Sequence, residues 1–189
     1  MDLNTFRQLN AKQKESVINY SGPAVILAGA GSGKTRVLVA KVIYLIKEKD
    51  INPASIVMMT FTNKAAAEMK ERINRQLGGM VKLGYVGTYH SFCVRVLRVF
   101  WKQALLDKNF IIYDDDDQKS LIKQIIQEKK LEKKTPGYFL YYISLAKNQM
   151  IIPEKFLENF KFHQSAPIAD VYFHYQKKLE KNKGVDFDD

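Results

Sequence analysis

The sequence predicts an α/β domain with a parallel sheet over residues 1–106, followed by an all-helical portion over residues 107–189. Three observations carry that prediction. Short apolar runs alternate with segments of helical periodicity through the first hundred residues, as expected of parallel strands joined by right-handed crossovers. A glycine-rich stretch separates the first apolar run from the first long periodic segment. Beyond that half, apolar residues recur at i, i+3 and i+4, and no apolar run of similar strength returns.

The elements follow in order. Asn10 and Gln13 stand three apart before a helical stretch, the spacing of a capping box. Ala24-Val25-Ile26-Leu27-Ala28, after Ser21-Gly22-Pro23, reads as a buried parallel strand. Val37, Leu38, Val42, Ile43, Leu45 and Ile46 fall at helical spacing. Pro53 breaks the chain, and Ile56-Val57-Met58-Met59-Thr60 reads as a second buried strand. Lys64 to Arg72 is rich in helix formers and is closed by Gly78-Gly79. Tyr85-Val86-Gly87-Thr88 is a third, weaker strand, and Phe92 to Leu105 a third amphipathic helix. Asp114 to Asp117 then precede Leu121, Ile122, Ile125 and Ile126, an acidic helix start. Read this way, the four aspartates cap a helix and bind no metal. Pro136-Gly137, Pro153 and Pro167 punctuate further helices, among them Phe139 to Lys147 and Ala169 to Leu179.

Composition narrows the class. Hydrophobic residues make up 46% of the chain, enough for a packed core and against global disorder. Lys plus Arg number 30 against 20 Asp plus Glu, which favours an anionic partner, nucleic acid or a membrane surface. The charge is uneven: residues 1–100 hold 15 Lys/Arg against 6 Asp/Glu, and residues 101–189 hold 15 against 14. The electrostatic footprint therefore belongs to the first half. No apolar run approaches the roughly 18 residues of a membrane span, and Met1-Asp2-Leu3-Asn4 begins no apolar signal core. The single cysteine, Cys93, excludes an internal disulfide and a Cys-rich zinc site. A soluble, cytoplasmic protein with no membrane partner is expected.

The strongest local signal is Ala28-Gly29-Ala30-Gly31-Ser32-Gly33-Lys34-Thr35, lying between a predicted strand and a predicted helix. Glycines let successive N–H groups turn toward one centre, and the helix N-terminus adds its dipole. Lys34 offers a point charge to β- and γ-phosphates, and the Thr35 hydroxyl can ligate Mg²⁺. Ala28 stands where the strict pattern has glycine, a small change that leaves Gly29, Gly31 and Gly33 to shape the loop. For Gln13 two readings stand side by side: a helix cap, or an amide that reads an adenine edge through N6 and N7.

Several motifs now agree in order and spacing: Leu9-Asn10-x-x-Gln13, the loop Ala28 to Thr35 with Arg36, Thr60-Phe61-Thr62-Asn63-Lys64-Ala65-Ala66-Ala67-Glu68-Met69, and Gly87-Thr88-Tyr89-His90-Ser91-Phe92. Together they resemble the N-terminal part of the UvrD/PcrA/Rep family of superfamily 1 DNA helicases. The resemblance covers residues 9–100 closely. Over 101–189 it rests on Ile112-Tyr113-Asp114, Ala146-Lys147-Asn148 and Asp186-Phe187-Asp188-Asp189. It implies a partial RecA-like P-loop domain with ATP and Mg²⁺ as cofactors, and a helical insertion subdomain beside the incoming duplex. Gln13 would read adenine and Arg36 would lie against the base. Phe61, Thr62 and Asn63, with Thr88, Tyr89 and His90, would contact single-stranded DNA near its junction with duplex. Lys34 and Thr35 would be the catalytic residues present, and translocation would be 3′ to 5′.

The Walker B carboxylates, a γ-phosphate sensor and second-domain arginines are not found. Lys177 to Gly184 is too polar to be the strand before a Walker B pair. The chain is therefore expected to be a fragment without turnover, needing the remaining helicase domains. Two other readings compete, a self-contained P-loop kinase or NTPase and a non-catalytic DNA-binding module.

Overall fold

Two short parallel strands, β1 (Val57–Thr60) and β2 (Tyr85–Thr88), make the sheet of the first unit in the computed structural model, which describes residues 4–19, 21–131 and 134–189. The chain divides into two units, Met1–Val96 and Leu97–Asp189. Before β1 in the first unit come α1 (Asn4–Arg7), α2 (Ala11–Ile18) and α3 (Lys34–Glu48). Helix α4 (Asn63–Leu77) links the two strands as the crossover, and α5 (Tyr89–Val99) follows β2. The register places Val57 beside Tyr85 and Thr60 beside Thr88.

Helical periodicity gives each helix its core face. Val39 and Val42 of α3 pack with Ile56, Met58 of β1, and Met69 and Ile73 of α4. Leu9 and Val17 pack with Val37 and Ala40, which seats α2 against α3. Helix α4 opens at Thr62, whose Oγ1 accepts a hydrogen bond from the Ala65 N–H at 3.1 Å. It closes at Gly78, where φ is +74°, a left-handed conformation that glycine adopts without a Cβ penalty.

Three expectations need correction. Ala24–Ala28 forms no strand: Val25 is 89% exposed and Leu27 93%, and no neighbouring strand pairs with the run among the described residues. An extended segment becomes a strand only when a ladder partner takes its N–H and C=O groups. In β1 Met58 alone is buried, while Val57 and Met59 are exposed, so helices cover one face of the sheet and not both. The periodicity predicts a helix to Leu105, yet α5 stops at Val99 and the chain turns through Leu105 at φ +56°.

The second unit is built on α6 (Asp115–Glu128), α7 (Pro136–Asn148), α8 (Phe156–Asn159) and α9 (Ser165–Lys181). Ile122, Ile125, Phe139, Ile143, Phe156, Ile168 and Leu179 fill its core. It is not all-helical, because β3 (Ile111–Ile112) pairs in parallel with β4 (Gly184–Val185). Two-residue strands leave no alternation to read in a sequence. Gly184 is required there: a Cβ on it would lie 2.5 Å from the Tyr113 ring. Asp114 caps α6, its Oδ1 accepting from the N–H groups of Asp116 and Asp117 at 2.9 Å each. The acidic run is a capping box, as its position predicts.

The strongest polar feature of this unit was not legible beforehand. The Lys147 ammonium, on α7, donates to Asp186 Oδ2 at 2.8 Å and to Asp189 Oδ1 at 2.7 Å. The Tyr175 hydroxyl donates to the same Asp186 Oδ2 at 2.8 Å. Asp186 Oδ1 accepts the N–H groups of Asp188 and Asp189 at 3.0 Å. Burial, then the Asp186 charge, pushes the Tyr175 phenol well above its ordinary range, so it stays a donor.

Candidate nucleotide site and sheet edge

The glycine-rich loop ends where α3 begins. Gly33 is the N-cap of α3 at φ +83°, and no side chain caps the first turn. A Cβ at Gly33 would come to 3.1 Å from the Gln13 amide nitrogen, a side-chain end that can shift, so the left-handed φ is what calls for glycine. The uncapped first-turn amides of Lys34, Thr35 and Arg36 are the donors an anion seeks at a helix N-terminus. An open cavity of about 610 Å³ lies alongside, lined by Gln13, Ala28, Ser32 and Lys34 among others.

Both readings of Gln13 find support in its hydrogen bonds. Its Oε1 accepts from the Asn10 N–H at 3.0 Å while Asn10 Oδ1 accepts from the Gln13 N–H at 2.9 Å, a complete capping box. Its Nε2 reaches across to donate to the Ser32 carbonyl at 2.9 Å, which brings it onto the loop itself. Ser32 Oγ donates to the Gly29 carbonyl at 2.7 Å, and the Lys34 ammonium donates to Gly29 O at 2.8 Å and Ala28 O at 3.3 Å. The loop is thus closed on itself through its own carbonyls. Ala30, Gly31, Thr35 and Arg36 are exposed around it. The donor set fits a Mg·triphosphate: one ammonium, a fan of N–H groups and one hydroxyl beside them. Among the described residues no three of His, Cys, Asp or Glu converge on a metal position, and the hydroxyls this loop offers are those of Ser32, which donates to the Gly29 carbonyl, and Thr35.

The second group of residues lies at the end of the sheet. Because Thr60 pairs with Thr88, the two strands end side by side, roughly one strand spacing of 4.8 Å apart. After β1 come Phe61 and Thr62, then Asn63 as the first residue of α4; β2 ends at Thr88 and runs directly into the first turn of α5, which carries Tyr89 and His90. Phe61 is 101% exposed, which removes the possibility that it is a core aromatic. Tyr89 is 62% exposed and its ring stands edge-on to His90 at 6.3 Å. Thr62 and Thr88 are partly used locally, Thr62 as the α4 cap and Thr88 bonded to Ser91 at 2.7 Å. The sequence-predicted residues therefore fall into two groups, one at the α3 N-terminus and one at the carboxyl ends of the strands, the ligand edge of an open α/β sheet.

Comparison with known proteins agrees with this arrangement. A profile of the UvrD/REP helicase N-terminal domain matches residues 9–189. The chain belongs to the UvrD/REP helicase family. The ATP-dependent DNA helicase PcrA of Staphylococcus aureus (strain Mu50 / ATCC 700699) is 41% identical over 183 residues, 96% of this chain and 25% of that protein. PcrA of Staphylococcus epidermidis (strain ATCC 12228 / FDA PCI 1200) is 41% identical over 185 residues, with 97% and 25% covered. This UvrD/REP-family chain thus spans about a quarter of the length of these relatives. Family membership over both units removes the self-contained kinase reading. It also takes in Lys147 and Asp186 to Asp189, which the sequence marks only as familiar tripeptide and tetrapeptide; their 39-residue separation hides that they meet.

Proposed function

We propose that this chain is the ATP-binding and single-strand-contacting N-terminal portion of a 3′-to-5′ DNA helicase acting in the cytoplasm in DNA repair or replication. The observation that carries the reading is Phe61. A fully exposed aromatic at the ligand edge of a parallel sheet, beside Tyr89 and His90 in the first turn of α5, is outside the core of this chain and suits base stacking. Thr62, Asn63 and Thr88 supply short hydrogen-bonding side chains for the backbone between stacked bases. The basic first hundred residues supply the sequence-independent attraction.

At the loop, Lys34 would exchange the Ala28 and Gly29 carbonyls for β- and γ-phosphate oxygens, which are charged and therefore the better acceptors. The amides from Gly29 to Gly33 and the first turn of α3 would hold the remaining oxygens. Thr35 would hold Mg²⁺, which when bound neutralises charge developing on the phosphates. Gln13 would turn its amide from Ser32 to an adenine edge, with Arg36 beside the base. The second unit would be the helical insertion beside the duplex at the junction.

The same residues define what this chain does not supply. Thr35 is one metal ligand, and no carboxylate cluster among the described residues adds a second or orients water. An arginine finger alone contributes about 10³–10⁵ in rate in related phosphoryl transfers. The 189-residue chain is therefore expected to release no phosphate from Mg·ATP above a no-protein blank, with or without single-stranded DNA. DNA-stimulated release that disappears in Lys34→Ala would show a complete enzyme and overturn the fragment reading.

A further inference from the structure

The face of α7 turned from the core carries a group of aromatic residues, of which Tyr138 and Tyr142 lean against the core edge while Tyr141 stands out from it. Phe139 and Ile143 point into the second unit's core, each 1% exposed. Tyr141 is instead 64% exposed, and its ring meets that of Tyr142 at 5.1 Å. On its other side Tyr142 stacks on Phe162, 37% exposed, at 5.1 Å and 30°. Tyr138 continues the row 5.2 Å from Tyr142, held by its hydroxyl donating to Gln164 at 3.0 Å. The Lys134 ammonium sits 4.5 Å over the Tyr138 ring, and exposed Lys161 and His163 flank Phe162. No Asp or Glu occurs from residue 133 to 153 or from 159 to 169, so both segments that build this surface lack carboxylates.

We propose that this surface is a stacking platform for an unpaired DNA strand, distinct from the loops at the sheet edge. An exposed tyrosine ring, Tyr141, beside the partly exposed Phe162 and fringed by lysine is the chemistry that holds unstacked bases and their phosphates. Paired bases within a duplex offer edges and backbone, not faces, so stacking selects the unpaired strand. The proposal rests on the reading of the chain as part of a DNA-unwinding protein. Unwinding yields two single strands, and the sheet-edge loops account for one.

The test uses the 189-residue chain and fluorescence anisotropy with labelled duplexes carrying a 3′ tail, a 5′ tail, or both as a fork. Wild type is expected to bind the fork at least about fivefold more tightly than the better single-tailed duplex, the lower end of one stacked base. Tyr141→Ser, at an exposed position that should not disturb folding, is expected to erase that advantage while leaving single-tail affinity unchanged. Tyr141→Phe should keep it. A 2-aminopurine in the second tail should lose fluorescence on binding wild type and keep it with Tyr141→Ser. An absent fork advantage, or one that survives Tyr141→Ser, overturns the platform. A Tyr141→Ser effect on self-association alone would make the patch a protein contact and overturn it equally. Phe61→Ala should weaken single-tail binding without changing the fork-to-tail ratio. If Phe61→Ala does nothing while Tyr141→Ser removes the fork advantage, the sheet-edge reading fails and the platform stands.

Discussion

Lys147→Met is expected to cost about 3–5 kcal/mol of folding stability, the range seen when one partner of a buried ion pair is removed. The Lys147 side chain is 5% exposed and that of Asp186 1%. Without the ammonium, Asp186 keeps the Tyr175 hydroxyl and two backbone N–H groups but loses its counter-charge. Asp189 loses its counter-charge as well, leaving the Asn148 amide to Asp188 Oδ1 at 3.2 Å as the hydrogen bond that still ties the last residues to α7. A domain of ordinary stability has only about 5–15 kcal/mol in total, so the loss should be plain in urea unfolding. The transition midpoint should fall with little change in slope. Asp186→Asn in the Lys147→Met background should recover part of the loss, because it removes the stranded charge. A midpoint within about 0.5 kcal/mol of wild type, as for an ordinary surface change, would mean that water reaches the pair and that it does not organise the unit.

Lys34→Ala is expected to weaken Mg·ATP binding about 10- to 100-fold, since a hydrogen bond to a charged group contributes roughly 1.5–3 kcal/mol. The same substitution should leave stability nearly unchanged. Lys34 is exposed, and the Ala28 and Gly29 carbonyls it releases are exposed to water too. Affinity and stability therefore separate, which an unfolding artefact would not allow. Titration of a fluorescent ATP analogue in Mg²⁺, displaced by unlabelled ATP, checks the affinity. A thermal melt of each protein checks the fold. Equal affinities for wild type and Lys34→Ala would remove the loop from the nucleotide site.

Local chemistry was the legible part of this sequence. The Asp114 cap, the Gly78 stop of α4 and the β1–α4–β2 unit all follow from residue type and spacing, whereas the Thr62 cap of α4 was not read from the sequence. So does the uncapped glycine-rich entry to α3, because its conformation is set within a few residues. The segment Ala24–Ala28 shows the limit. Its apolar run states what the strand side chains prefer but not whether a neighbouring strand exists to pair with them. Strands β3 and β4 failed for the opposite reason, being too short to carry a period although residues 73 positions apart pair in register. At the sites, Gln13, Lys34 and Phe61 were readable from motif order. That Gln13 and Lys34 are held by carbonyls of the loop could not be read, because backbone acceptors leave no mark in a sequence. The Lys147–Asp186 pair and the Tyr141–Tyr142–Phe162 surface likewise join residues whose separation carries no local signal.

The claim that the β1–β2 edge is a single-strand contact is tested most directly by Phe61→Ala in a labelled oligo(dT) titration across a range of salt. Wild-type affinity should fall with salt at a log–log slope of about −0.7 for each phosphate neutralised. Phe61→Ala should bind roughly 5- to 100-fold more weakly at every salt concentration, as for one lost stacking contact. Its slope should match wild type, because no cation has been removed. Unchanged affinity in Phe61→Ala would mean that this fully exposed aromatic touches no base, and the proposed single-strand contact would be wrong.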